Sequence, residues 1–136
     1  MKKEQLKRIF KFLEEKGEHK APFLWKLENN IPLTEEDLNI EGDLDLHSCK
    51  KLTSLPKGLK VGGSLSLIFA SIESLPEGLK VGSNLYLQHS KITSLPEGLE
   101  VGDNIYISNS KLKNRTNDEL IKMIKTGFIK GEIRRK

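Results

Sequence analysis

Apolar residues recur through the middle of this chain at a spacing that no single helix or strand explains. The run Gly62-Gly63-Ser64-Leu65-Ser66-Leu67 … Ile72-Glu73-Ser74-Leu75-Pro76-Glu77-Gly78-Leu79-Lys80-Val81 returns as Gly82-Ser83-Asn84-Leu85-Tyr86-Leu87 … Ile92-Thr93-Ser94-Leu95-Pro96-Glu97-Gly98-Leu99-Glu100-Val101. The period is 20 residues. A looser copy from Leu44 to Val61 precedes the pair with one extra residue, and a truncated copy, Gly102 to Leu112, follows it. A repeat of this length predicts a solenoid, in which each unit buries its apolar side only against its neighbours.

Within each copy the Leu-x-Leu alternation predicts a short strand. The four strands expected are Asp43–Leu46, Ser64–Leu67, Asn84–Leu87 and Asn104–Ile107, stacked in parallel. Leu-Pro-x-Gly-Leu makes the return: Pro56, Pro76 and Pro96 cannot donate to a ladder, and Gly58, Gly78 and Gly98 permit positive φ.

The flanks follow a helical period instead. Leu6, Ile9, Phe10 and Leu13 predict a helix over 4–16, and the apolar stretch after Pro22 a second short one ending at Asn29-Asn30. Thr34 is placed to cap the amide of Asp37. After Leu112, Thr116 and Glu119 form a capping box for a helix burying Leu120, Ile121, Met123 and Ile124, with Gly127 as its stop. Phe128 and Ile129 are expected against the last coil, and 131–136 as a frayed tail. The chain thus divides into an N-terminal helical cap (1–39), the solenoid (40–112) and a C-terminal helical cap with a basic tail (113–136), in one structural domain.

Gly-x-x-Leu-x-Leu-x-x-x-x-Ile-x-Ser-Leu-Pro-Glu-Gly-Leu-x-Val resembles the short leucine-rich repeat of bacterial and phage proteins, over roughly residues 40–112. The resemblance implies an α/β architecture: a leucine-rich-repeat-like solenoid with a small parallel β-sheet, capped by helices at both ends. It also implies protein binding as the usual role. Two columns depart from it. Cys49, Ala70, Ser90 and Ser110 stand where an asparagine ladder is usual, and Glu41, Gly62, Gly82 and Gly102 where a leucine is usual.

The formal charge of +4 is uneven: 1–20 carry +3, 21–39 carry −3, 40–110 carry −2 and 111–136 carry +6. The repeats are therefore not the basic part. The single cysteine, Cys49, excludes an internal disulfide and suits a reducing compartment, and its column asks for a small inward residue, not a nucleophile. No apolar run is long enough to span a membrane and no secretory signal is evident, so the expectation is a cytoplasmic protein of a bacterium, or of the host cell if phage-encoded.

Sorting the repeats by column proposes the site. Asp45, Ser66, Tyr86 and Tyr106 point outward between the leucines; His47, Ile68, Gln88 and Ser108 follow, then Ser48, Phe69, His89 and Asn109. Ile68-Phe69 is apolar where every other copy is polar. The partner-binding set is Asp45, His47, Ile68, Phe69, Tyr86, Gln88, His89 and Tyr106, with the alternative that Phe69 packs over the edge onto the cap. The competing expectation is a nucleic-acid surface from Lys122, Lys125, Lys130, Arg134 and Arg135, although no aromatic residues interleave with them. No nucleophile–base pair, cofactor motif or metal-ligand spacing is evident, so neither an enzyme nor a cofactor is expected. Four strands expose only about 300 Å² of sheet against roughly 800 Å² per partner in a stable complex, so loops, caps or self-association to a homo-oligomer must add to it. Together with the small size, the resemblance points to a phage- or mobile-element-encoded inhibitor of a host protein.

Overall fold

A computed structural model describes residues 26, 27, 29 and 31–135. The chain divides into two units at Asp37–Leu38. The helix expected over 4–16 lies outside the described residues.

In the first unit, Lys26 and Leu27 are helical and the Ile31 N–H returns to the Lys26 carbonyl at 2.9 Å. Thr34 caps the short helix α1 (Glu35–Leu38) as its sequence predicts. The Thr34 hydroxyl accepts the Asp37 N–H at 3.1 Å, and the Asp37 carboxylate accepts the Thr34 N–H at 3.0 Å. That carboxylate also takes the Lys26 ammonium at 3.0 Å, nearly out of solvent.

The second unit is a parallel β-solenoid of two five-stranded sheets. One contains β1 (Asn39–Ile40), β3 (Lys60–Val61), β5 (Lys80–Val81), β7 (Glu100–Val101) and β9 (Phe128–Ile129). The other contains β2 (Leu44–Asp45), β4 (Leu65–Ser66), β6 (Leu85–Tyr86), β8 (Ile105–Tyr106) and β10 (Ile133–Arg134). Every pairing is parallel, and Leu65, Leu85 and Ile105 stand in register at the repeat offset. The Leu-x-Leu strands are therefore present as two-residue cores. The Lys-Val sheet has no signature in the sequence: an isolated x-Val pair has too few residues to show a period of two.

Each coil wraps a thin, continuous core. Leu59, Leu65, Leu67 and Ile72 of one coil stack under Leu79, Leu85, Leu87 and Ile92 of the next, all with no exposed surface. Two glycine columns serve different needs. Gly58, Gly78 and Gly98 have φ of +87°, +73° and +77° in the return turns, where the Leu79 and Leu99 N–H groups reach back to Pro76 and Pro96 carbonyls. Gly82 and Gly102 occupy the corner between the sheets, where any Cβ would overlap the carbonyl oxygen of Gly62 or Gly82 in the preceding coil. This explains why glycine replaces leucine there: the backbones stack too closely for a side chain.

The C-terminal segment departs most from expectation. A 3₁₀ turn, Lys111–Asn114, leads to α2 (Asn117–Ile124), which carries the predicted Thr116–Glu119 capping box. Leu120 and Ile124 are buried, Met123 is half-buried, and Ile121 is 46% exposed. The chain does not then fray. It re-enters the solenoid as β9 and β10, Phe128 pairing with Glu100 and Ile133 with Ile105. The offset is now 28 residues, because α2 has been inserted into the return of the last coil. Gly127 and Gly131 make the fit, since a Cβ on either would overlap Leu99 or Asn104 atoms. Among the described residues the stack therefore ends on a strand pair, not on a helical cap.

Candidate functional site

The outer face of the β2–β4–β6–β8–β10 sheet holds most of the candidate residues, because alternation turns Asp45, Ser66, Tyr86, Tyr106 and Arg134 away from the core. Tyr86 and Tyr106 stack with ring centroids 4.8 Å apart and planes 13° from parallel. Their hydroxyls are held from the side: Asn84 Nδ2 donates to Tyr86 at 3.2 Å, and Asn104 Nδ2 to Tyr106 at 3.4 Å.

The column before the strands holds the sheet together. The side-chain oxygen of Asp43 accepts the Ser64 N–H (2.7 Å), that of Ser64 the Asn84 N–H (3.2 Å), that of Asn84 the Asn104 N–H (3.0 Å) and that of Asn104 the Glu132 N–H (2.8 Å). A polar ladder thus exists, in a different column from the one where the resemblance placed it. The signal in the sequence is four consecutive side-chain acceptors, Asp43, Ser64, Asn84 and Asn104, at the repeat spacing.

At the other end of the strands each coil turns sharply. The N–H groups of Cys49, Ala70, Ser90 and Ser110 return to the carbonyls of Leu46, Leu67, Leu87 and Ile107 at 3.0–3.2 Å. The turn residues Ser48, Phe69, His89 and Asn109 consequently have φ of +56° to +58°, yet none is glycine. Asparagine tolerates this region, whereas a bulky aromatic residue there is a true outlier. Phe69 is nonetheless 49% exposed. Its ring stacks on His89 at 4.3 Å with an 8° interplanar angle, and the His89 Nε2 faces Asn109 Nδ2 at 3.4 Å. The Phe69 carbonyl accepts the Lys50 ammonium. Ala70, Ser90 and Ser110 behind this turn are buried, as the small-residue column predicts, while Cys49 is half-buried.

The remaining members fall beside these pairs. The Asp45 carboxylate takes the His47 Nδ1 at 2.7 Å and its backbone N–H at 3.1 Å, and these two bonds hold the carboxyl below the usual aspartate range. Ile68 and Gln88 are half-buried, and the Gln88 Oε1 is buried with no hydrogen-bond partner among the described residues. The candidate face is therefore three braced pairs, Asp45–His47, Phe69–His89 and Tyr86–Tyr106, with Ile68 and Gln88 set between them.

The basic residues are engaged differently. Arg135 donates to the carbonyls of Lys113 (3.0 Å) and Arg115 (2.8 Å) and to Asn117 Oδ1 (2.7 Å), clasping the 3₁₀ turn to the last strand. Lys125 pairs with Glu97 at 3.6 Å, Arg134 with Glu132 at 3.4 Å, and Lys130 lies 6.0 Å above the Phe128 ring. Lys122 sits on exposed α2 surface. The sequence places Arg134 in the basic tail, but its register with Tyr106 makes it the last member of the outward column.

Among the described residues no three His, Cys, Asp or Glu side chains gather as metal ligands, and no helix is long and apolar enough to cross a membrane. No family model, no curated protein and no solved structure matches the chain.

Proposed function

We propose that the solenoid is a non-catalytic protein-binding module of the leucine-rich-repeat kind. Its partner docks on the outer face of the β2–β10 sheet, around Phe69, His89, Tyr86 and Tyr106. The observation that carries this reading is Phe69: a large aromatic ring kept in a left-handed turn and left half in solvent. Every coil imposes this turn, so the conformation itself is structural. What sets Phe69 apart is a bulky apolar ring that bears the strain and gains little burial, a choice that serves something other than stability. Stacking on His89 restricts the Phe69 ring, and stacking plus the Asn84 and Asn104 hydrogen bonds restrict the tyrosines, so less entropy is lost when a partner covers them. Such aromatic anchors dominate interface energetics. Inhibition of a host protein by a phage- or mobile-element-encoded binder is the role that best suits so small a module.

The test is affinity capture from bacterial lysate at moderate salt, with wild type and a Phe69→Ala/Tyr86→Ala double variant side by side. A protein retained by the wild type and released from an equally folded variant supports the face as the site. Capture that is identical for both, or of nucleic acid that salt removes, rejects it.

A further inference from the structure

Among the described residues the last coil leaves both sheets with an open edge, and the edge of β10 carries a self-complementary pattern. The Ile105 and Ile107 N–H groups donate to the Glu132 and Arg134 carbonyls at 3.0 and 2.8 Å. Backbone groups alternate along a strand, so the N–H and C=O of Ile133 face away from β8. Glu132 and Arg134 flank Ile133 on the outward face, both exposed and paired to one another at 3.4 Å. Beneath them the core runs out. Ile105 and Val101 are fully covered in the preceding coil, but Ile133 and Ile129 are only half-buried. With Ile121, which is 46% exposed, they line a cleft of about 410 Å³ together with Asn117, Gly131 and Glu132. An open edge over an unfinished core is a template for another strand.

We infer that this edge pairs with its own copy: two chains join through antiparallel β10 strands about a two-fold axis at Ile133. Charge complementarity selects this occupant. In an antiparallel pair centred on Ile133, the two Ile133 residues exchange both backbone hydrogen bonds. Glu132 of each chain then stands opposite Arg134 of the other, in the closely spaced position. The same operation repeats the pair, so four charges alternate in sign across the axis. On the inner side the two Ile133 side chains meet and cover the cleft. The β2–β10 sheet becomes one ten-stranded sheet, with the outward columns of both copies on a single face. The inference concerns self-association alone and holds whether or not that face binds another protein.

Sedimentation analysis of the full chain between about 1 µM and 1 mM is the experiment. The expected result is a concentration-dependent species of twice the 15.4 kDa chain mass, with nothing larger. Glu132→Arg and Arg134→Glu each place like charges opposite one another twice, and each should raise the dissociation constant roughly tenfold or more. Mixing these two variants restores opposite charges across the axis, so a heterodimer of near wild-type affinity should form. Circular dichroism melts verify that both variants fold. A monomer throughout the range, an open-ended series of larger species, a dimer insensitive to both reversals, or failure of the mixture to associate would each overturn the inference.

Discussion

Asn84 and Asn104 are bonded across the coil boundary: the side-chain oxygen of Asn84 accepts the backbone N–H of Asn104 at 3.0 Å, while its amide nitrogen steadies the Tyr86 hydroxyl. One side chain thus joins two coils and orients a residue of the candidate face. Asn84→Ala should cost about 1–2 kcal/mol, because it leaves a half-covered N–H unpaired. Asn84→Asp keeps the acceptor and should cost less. Urea denaturation of the three proteins measures the order.

The glycine corner makes a sharper contrast. Gly82→Ala and Gly102→Ala drive a methyl into backbone carbonyl oxygen, and backbone cannot move aside as a flexible side chain would. Each should lose about 3 kcal/mol or more, or fail to fold. Gly42→Ala meets no atom of the described residues within 4 Å of its new methyl and should change stability little. Thermal melts of the three variants test this.

Phe69 separates stability from binding. Its left-handed turn costs an ordinary residue about 1–2 kcal/mol, and asparagine bears this conformation more easily. Phe69→Asn removes the His89 stack yet should leave the denaturation midpoint unchanged or raised, while abolishing retention of any partner captured through this face. A substantial loss of stability would show that the ring is there to hold the turn.

Asp37 predicts an acid limb. Burial pushes its carboxyl upward, but the Thr34 N–H and the Lys26 ammonium outweigh this, and the net result lies below the usual aspartate range. A lowered folded-state pKa contributes stability that is present above the ordinary value of about 3.9 and lost as pH falls through the lowered one. Asp37→Asn should therefore flatten the fall in stability below pH about 4, as read from melts across that range.

Arg135 is a structural clasp. Arg135→Ala breaks three hydrogen bonds that tie the last strand to the segment before α2, and should cost about 1–2 kcal/mol. Arg134→Ala, which loses one exposed ion pair, should cost well under 1 kcal/mol. Equal effects would argue against the clasp.

Much of this was legible in the chain itself. The 20-residue recurrence determined a parallel stack, its Leu-x-Leu strands and its inward columns, because a repeated apolar pattern can be buried only by translation from coil to coil. The return-turn glycines and the Thr34 and Thr116 caps were equally readable, since these are local requirements of φ and of unpaired N–H groups. Three things needed the folded coil. The second sheet rests on a single x-Val pair per repeat, too short to show a period, and only coil-to-coil hydrogen bonds define it. The left-handed turn at Ser48, Phe69, His89 and Asn109 has no glycine to announce it; closure of the strand onto the core imposes it. The last coil was hidden because α2 shifts it out of phase, so that Ile129 and Ile133 recover their places by spatial pairing across an offset that no periodicity predicts.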